Sequence, residues 1–450
     1  MGLGLAVSLW PDGAQPTPPP VPTLEEVSAP AQIIDAAVQR APIDAEPSTA
    51  PTLGAFQEGF CAPEGDETIK TTRVLSRLLA GELNRRQLTA DPSIDDEETQ
   101  VLTQAFEPSN PQGQRAHLVV AQRLGERLPN SVWPQLLIAM LGKSLHEPQL
   151  ELTALRRART LLPHDPAVGL ALALATRTAP DLDEPIAGLD DYLAAENTPG
   201  FARIRARLEV QRDIQRGFSR RSRGTITLLW PPESLTAPQA DDLLLMVDTS
   251  LDDATRLIGA STRPPLTVVV YPGRSELLAV SCVPTWAGGL YDGVLRLIAS
   301  PDPLGVRPRT VRHETLHARL TPYAPNAPKW FHEGVAQSFA HEANEVRGQW
   351  ALMVRTHVWI PFESLDGTFG VLSAADAHLA YAQSLALVDF ITDTCGGSAL
   401  SEAINAFNAG ATTSAALAKA CHRDEVTGPQ LLEYLERRLS SPEPTSPATP

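Results

Sequence analysis

The chain has 450 residues, 37 basic against 53 acidic, so it carries a net charge of -16 near neutrality, and 43% of it is hydrophobic. That length leaves room for two to three domains, and the acidic balance argues against a nucleic-acid partner. There is no run of 18 apolar residues, so no transmembrane segment is expected.

Residues 1–65 are dense in Pro, Ala and acids, eight acidic residues to one basic, and read as a disordered or extended linker. Their first ten residues, MGLGLAVSLW, are apolar but lack a basic start and a full-length apolar stretch, so they do not make a complete signal peptide. Localisation stays open between the cell envelope, if this piece is the remnant of a signal, and the cytoplasm. Residues 66–220 are helical in pattern, with Leu75, Leu78, Leu79 and Leu83, then Leu118, Val119, Leu124 and Leu128, at helical spacing. Turn-like segments beginning at Leu128, Leu162 and Glu196 recur every 34 residues. That is the period of tetratricopeptide helix-turn-helix repeats, which the region resembles weakly, and such repeats would offer a surface to a protein partner. An irregular helical bundle is the other reading. Eight arginines fall within residues 203–223 and read as the solvated face of a helix with a charged exit, with phosphate or membrane-surface binding as the rival. Cys61, Cys282, Cys395 and Cys421 lack the close spacing of a structural zinc site, and Cys395 with Cys421 is a candidate bridge.

From residue 224 the texture changes. Residues 225–230 (TITLLW) and 266–271 (LTVVVY) read as strands, 241–259 as an amphipathic helix and 275–279 as a short helix. Residues 288–299 (GGLYDGVLRLIA) read as a strand lying just before His313-Glu314-Thr315-Leu316-His317. On a helix the i and i+4 imidazoles share a face and can reach one metal ion, with Glu314 beside it as a general base. Zinc favours four nitrogen or oxygen ligands, one of them water in a catalytic site, so one protein ligand remains to be found. After a Pro-rich turn, Trp330-Phe331-His332-Glu333-Gly334-Val335-Ala336 resumes a helical pattern and can bring Glu333 against the first helix. His332 and His341 are rival ligands.

These two helices resemble the gluzincin metallopeptidases, in which H-E-x-x-H is followed by a helix carrying E-G-x-A after a Trp, and most nearly their short peptidase MA-like members. The resemblance implies one zinc ion on His313, His317 and Glu333, with Glu314 as base and a peptide or protein as substrate. Only 15 residues separate His317 from Glu333, fewer than in the aminopeptidase and thermolysin branches. It also implies that 288–299 stands where an edge strand holds the substrate backbone, a plain buried strand being the alternative. Tyr381, at the start of a later helix, is similar in position to a tyrosine that supports the oxyanion; packing among the C-terminal helices is its other reading. The fold class expected is α+β, an all-helical repeat-like N-terminal region followed by a zincin-like domain with a small mixed sheet, the H-E-x-x-H helix and a helical C-terminal subdomain. Residues 224–440 would form that domain and 441–450 a disordered tail. The function expected is zinc-dependent peptide-bond hydrolysis, and the alternative is a helical-repeat adaptor whose zinc domain is structural or inactive.

Overall fold

The computed structural model describes residues 6–7 and 111–440, except 146, 197, 261, 262, 264, 282–287 and 367–373. The expected linker (beyond residues 6–7), the helical pattern of 66–110, Cys61, Cys282 and the tail 441–450 lie outside the described residues.

Six helices open the described chain: α1 (Pro111–Arg127), α2 (Trp133–Ser144), α3 (Pro148–Leu161), α4 (Pro166–Thr176), α5 (Asp183–Ala195) and α6 (Pro199–Ile214). Four begin on a proline, whose fixed φ and missing N–H suit the first helical position. Asp165 adds a cap to α4, its carboxylate accepting from the N–H groups of Ala167 and Val168. Each helix packs on its neighbours in the chain, and their apolar faces form two cores, one among α1–α4 and one among α4–α6. Of the clustered arginines, Arg205 pairs with Asp190 and Glu209, Arg212 with Asp183, Arg221 with Asp241 and Arg223 with Asp248. Intramolecular acids thus take up much of that positive charge. The stretch after Ile214 is a strand rather than a continued helix.

A six-stranded sheet follows, built from β1 (Ala6–Val7), β2 (Ser219–Arg223), β3 (Ile226–Trp230), β4 (Leu266–Tyr271), β5 (Gly289–Tyr291) and β6 (Val294–Ile298) in the order β1-β5-β6-β4-β3-β2. The three central strands β3, β4 and β6 are parallel, whereas β2, β5 and β1 are antiparallel to their neighbours. All of β4 is buried, as its unbroken apolar run requires. Helix α7 (Ala237–Ile258), opened by a Thr236/Gln239 capping box, covers one face, and α8 (Arg274–Val280) with α6 lies against the other. Residues 288–299 differ from the single strand expected. Asp292-Gly293 turns the chain back, Gly293 taking a φ of +100° that L side chains rarely adopt, so the segment is the β5–β6 hairpin. Strand β6 is therefore paired on both sides and cannot receive another strand. The outer edge of β5 can, and Ala6–Val7 pairs there, opposite Tyr291 and Leu290.

The remaining elements are helical: α9 (Pro308–Tyr323), α10 (Lys329–Phe339), α11 (Arg347–Thr356), α12 (Phe362–Leu365), α13 (Ala374–Thr394), α14 (Ala399–Asn408), α15 (Thr413–Ala420) and α16 (Gly428–Ser440). They enclose the largest apolar core, centred on Trp330, Phe331, Trp350 and the length of α13. The Cys395–Cys421 disulfide ties the end of α13 to the end of α15.

Candidate metal centre

Helix α9 is buried all round over residues 313–320, and His313, Glu314 and His317 all sit at 0% exposure between the sheet and α10. The 15-residue spacing closes without strain because α9 continues to Tyr323 and α10 starts at Lys329, leaving only a short turn that ends on Pro328. Helix α10 then points Glu333 back at α9. Its Oε2 lies 3.4 Å from His313 Nε2 and 3.7 Å from His317 Nε2. One ligand atom from each of the three residues falls within 4.8 Å of the others. Tetrahedral ligands about 2.0–2.2 Å from a zinc ion stand roughly 3.3–3.6 Å apart, so small rotamer adjustments would let all three share one ion.

Two further observations fit a cation. His313 Nε2, His317 Nε2 and Glu333 Oε2 are buried and make no hydrogen bond, an arrangement costly to a folded protein unless something binds there. The surrounding groups include the buried carboxyl groups of Glu314, Glu333 and Glu342 and the ammonium of Lys329, whose side chain is 17% exposed. Carboxyl groups outnumber that ammonium, which favours a cation there.

The charges act on one another in the absence of solvent. Burial raises the Glu314 carboxyl to about 8, against the opposing pull of the His313 side chain. Burial also lowers His317 to about 3, keeping it neutral and able to donate a lone pair. Glu333 is held well below its ordinary value despite burial, by the Lys329 ammonium and then the two imidazoles. Glu342, which the sequence reading passed over, accepts at His313 Nδ1 over 3.0 Å. That contact leaves the other ring nitrogen, Nε2, to face the ion.

Residues 248–428 match the family model of the Peptidase MA superfamily. The chain therefore carries a peptidase MA-like domain, which takes in β4 to α15 and the whole cluster, while α1–α6 lie outside the match. No curated protein sequence matches the chain. The rivals for the third position are placed differently: the His332 ring stacks on that of His317, with centroids 6.4 Å apart. His332 Nε2 contacts the Ala324 carbonyl at 3.1 Å, and His341 is exposed at the end of α10 with a φ of 60°. Tyr381 lies two turns inside α13 rather than at a helix start, 2% exposed, on the helix that packs against α10. Burial first, then the carboxylates of Glu333, Glu314 and Glu342, push its phenol well above its ordinary value, so at neutral pH it is a donor. Lys329 was also unmarked in the sequence, and its Nζ lies 2.6 Å from Glu333 Oε1.

Strand β5 lies directly against the centre. At Gly289 of β5 an added Cβ would stand 2.7 Å from Thr310 Cγ2 and 3.4 Å from Glu314 Cγ, so this strand runs directly against the base. Any larger residue there would push the strand off α9.

Proposed function

We propose that the domain is a zinc-dependent gluzincin peptidase, with His313, His317 and Glu333 as ligands and Glu314 as general base. The observation that carries this reading is the convergence of three metal-binding atoms beside a buried carboxyl group with no hydrogen bond of its own. A merely structural metal needs no such base. A zinc ion held by these residues would supply Lewis acidity toward the scissile carbonyl and toward water. Glu314 takes the proton from that water and delivers it to the leaving amine, and burial gives it the raised pKa that lets one group do both. Tyr381 donates its phenolic hydrogen to the oxygen on which charge develops. The outer edge of β5, on which Ala6–Val7 pairs, takes the substrate backbone as an added strand only with that pair displaced. Helices α1–α6, read as tetratricopeptide-like repeats, offer the domain a protein partner.

The experiment is elemental analysis of the purified chain together with peptide cleavage by wild type, Glu314→Gln and Glu333→Ala. About one zinc per chain is expected in the wild type and in Glu314→Gln, with turnover lost in the latter and zinc lost in Glu333→Ala. A Glu314→Gln chain that cleaves at the wild-type rate would remove the base from the assignment. Metal-free wild-type protein after dialysis against zinc would hand the function to the helical-repeat adaptor.

A further inference from the structure

Lys329 is the first residue of α10. A cation at that position opposes the partial positive charge of the helix N-terminus, and its side chain is only 17% exposed, so it also loses most of its hydration. Nothing about helix stability explains such a placement. What it gains is Glu333, four residues on and on the same face, with Nζ 2.6 Å from Oε1.

The two oxygens of Glu333 are thereby made unequal. Oε1 faces the ammonium, while Oε2 faces His313 Nε2 and His317 Nε2 at 3.4 and 3.7 Å. We propose that Lys329 is a positioning residue that reserves Glu333 Oε1, so that the third ligand binds its metal through Oε2 alone. The inference rests on the metal-centre reading above and adds to it how that ligand is oriented. Left to itself, a carboxylate between two imidazoles can close on an ion with both oxygens and fill a position needed by water or substrate. Lys329 prevents this by holding one of them.

The test compares full-length wild type with Lys329→Met, which keeps the length and removes the charge. Both are loaded with Co²⁺, whose visible absorption reports coordination number, and zinc affinity is measured by competition with a chromogenic chelator. Lys329→Met should show weaker cobalt bands, as a fifth ligand atom enters from Oε1, and zinc affinity reduced by about 10–100-fold, the range for losing a partner of a metal ligand. A wild-type cobalt spectrum in Lys329→Met overturns the positioning role, even if affinity falls. Should that variant not fold, Lys329→Gln is read by the same measurements with the same expected direction. Failure of the wild type itself to take up either ion overturns the metal centre and this inference with it. Metal-loaded wild type beside an unchanged variant overturns the inference alone.

Discussion

His313, Glu314, His317 and Glu333 announce themselves because a helix converts fixed spacing into a shared face, whatever surrounds it. Glu342 does not. It reaches His313 because α10 ends in a reversal: His341 takes the left-handed conformation, the Glu342 N–H bonds to the Gln337 carbonyl, and that of His341 to the Ser338 carbonyl. Glycine usually fills that position, so a histidine there gives little signal of a helix end. Arg312 of α9 secures the same corner by donating to the Phe339 carbonyl at 3.2 and 2.9 Å. Removal of the Glu342 carboxylate should free the His313 ring to rotate and change tautomer. Glu342→Ala is expected to weaken zinc binding about 10–100-fold in a chelator competition, with the loss smaller in Glu342→Gln, which keeps an acceptor.

At the scale of elements, the centre depends on how closely α10 can lie against α13. Gly334 makes this contact, since a Cβ there would come within 2.4 Å of the Ser384 carbonyl oxygen and 2.7 Å of Val388 Cγ2. The glycine after Glu333 is thus a packing requirement on a face about 100° around the helix from that ligand. Gly334→Ala should force the helices apart, lowering stability by about 1–3 kcal/mol in urea denaturation and reducing metal occupancy by displacing Glu333. The same interface carries Asp389 of α13, which accepts from Ser338 Oγ at 2.9 Å and lies 2.9 Å from Arg438 of α16. Burial raises its carboxyl to about 6, with Arg438 and Ser338 pulling the other way. Because the folded chain holds this proton more tightly than the unfolded one, the group costs nothing below about pH 4. Its cost grows as pH rises to about 6 and is constant above that. A shift from 3.8 to about 6 amounts to roughly 2–3 kcal/mol. Wild-type stability should therefore fall across that window, and Asp389→Asn should flatten the decline when unfolding is followed at pH 4, 5, 6 and 7.

For the whole molecule, the joint between the helical region and the sheet is polar and buried. Arg296 of β6 is 5% exposed and donates to the Asp292 carboxylate of its own hairpin, to Tyr271 Oη at 2.6 Å and to Gln211 Oε1 of α6 at 3.1 Å. Thr267 Oγ1 adds a bond to the Thr178 carbonyl at 2.7 Å. A guanidinium in such a place must keep its partners, because an unmet donor costs more there than in water. Gln211→Ala should destabilise the joint by about 1–3 kcal/mol and let the helical region unfold ahead of the sheet-bearing domain, visible by calorimetry. The hairpin held by Arg296 includes β5, so the helical region braces the strand that runs past Glu314.

Several features follow from the sequence alone because their cause is local. The change from helical to strand texture near residue 224, the buried strand at 266–271, the H-E-x-x-H face and the helix bearing Glu333 all rest on periodicities of a few residues. The Asp292-Gly293 turn was legible too, as a two-residue hairpin signal within an apolar run, although an unbroken alternation of side chains read over it. Tertiary structure alone decided the rest. It set which strand edge stands beside Glu314, brought Glu342 to His313, and placed Tyr381 where Glu333, Glu314 and Glu342 act on it. Each of these depends on a chain reversal or a helix crossing, and the electrostatics follow from exclusion of water by packing, a property no window of sequence contains.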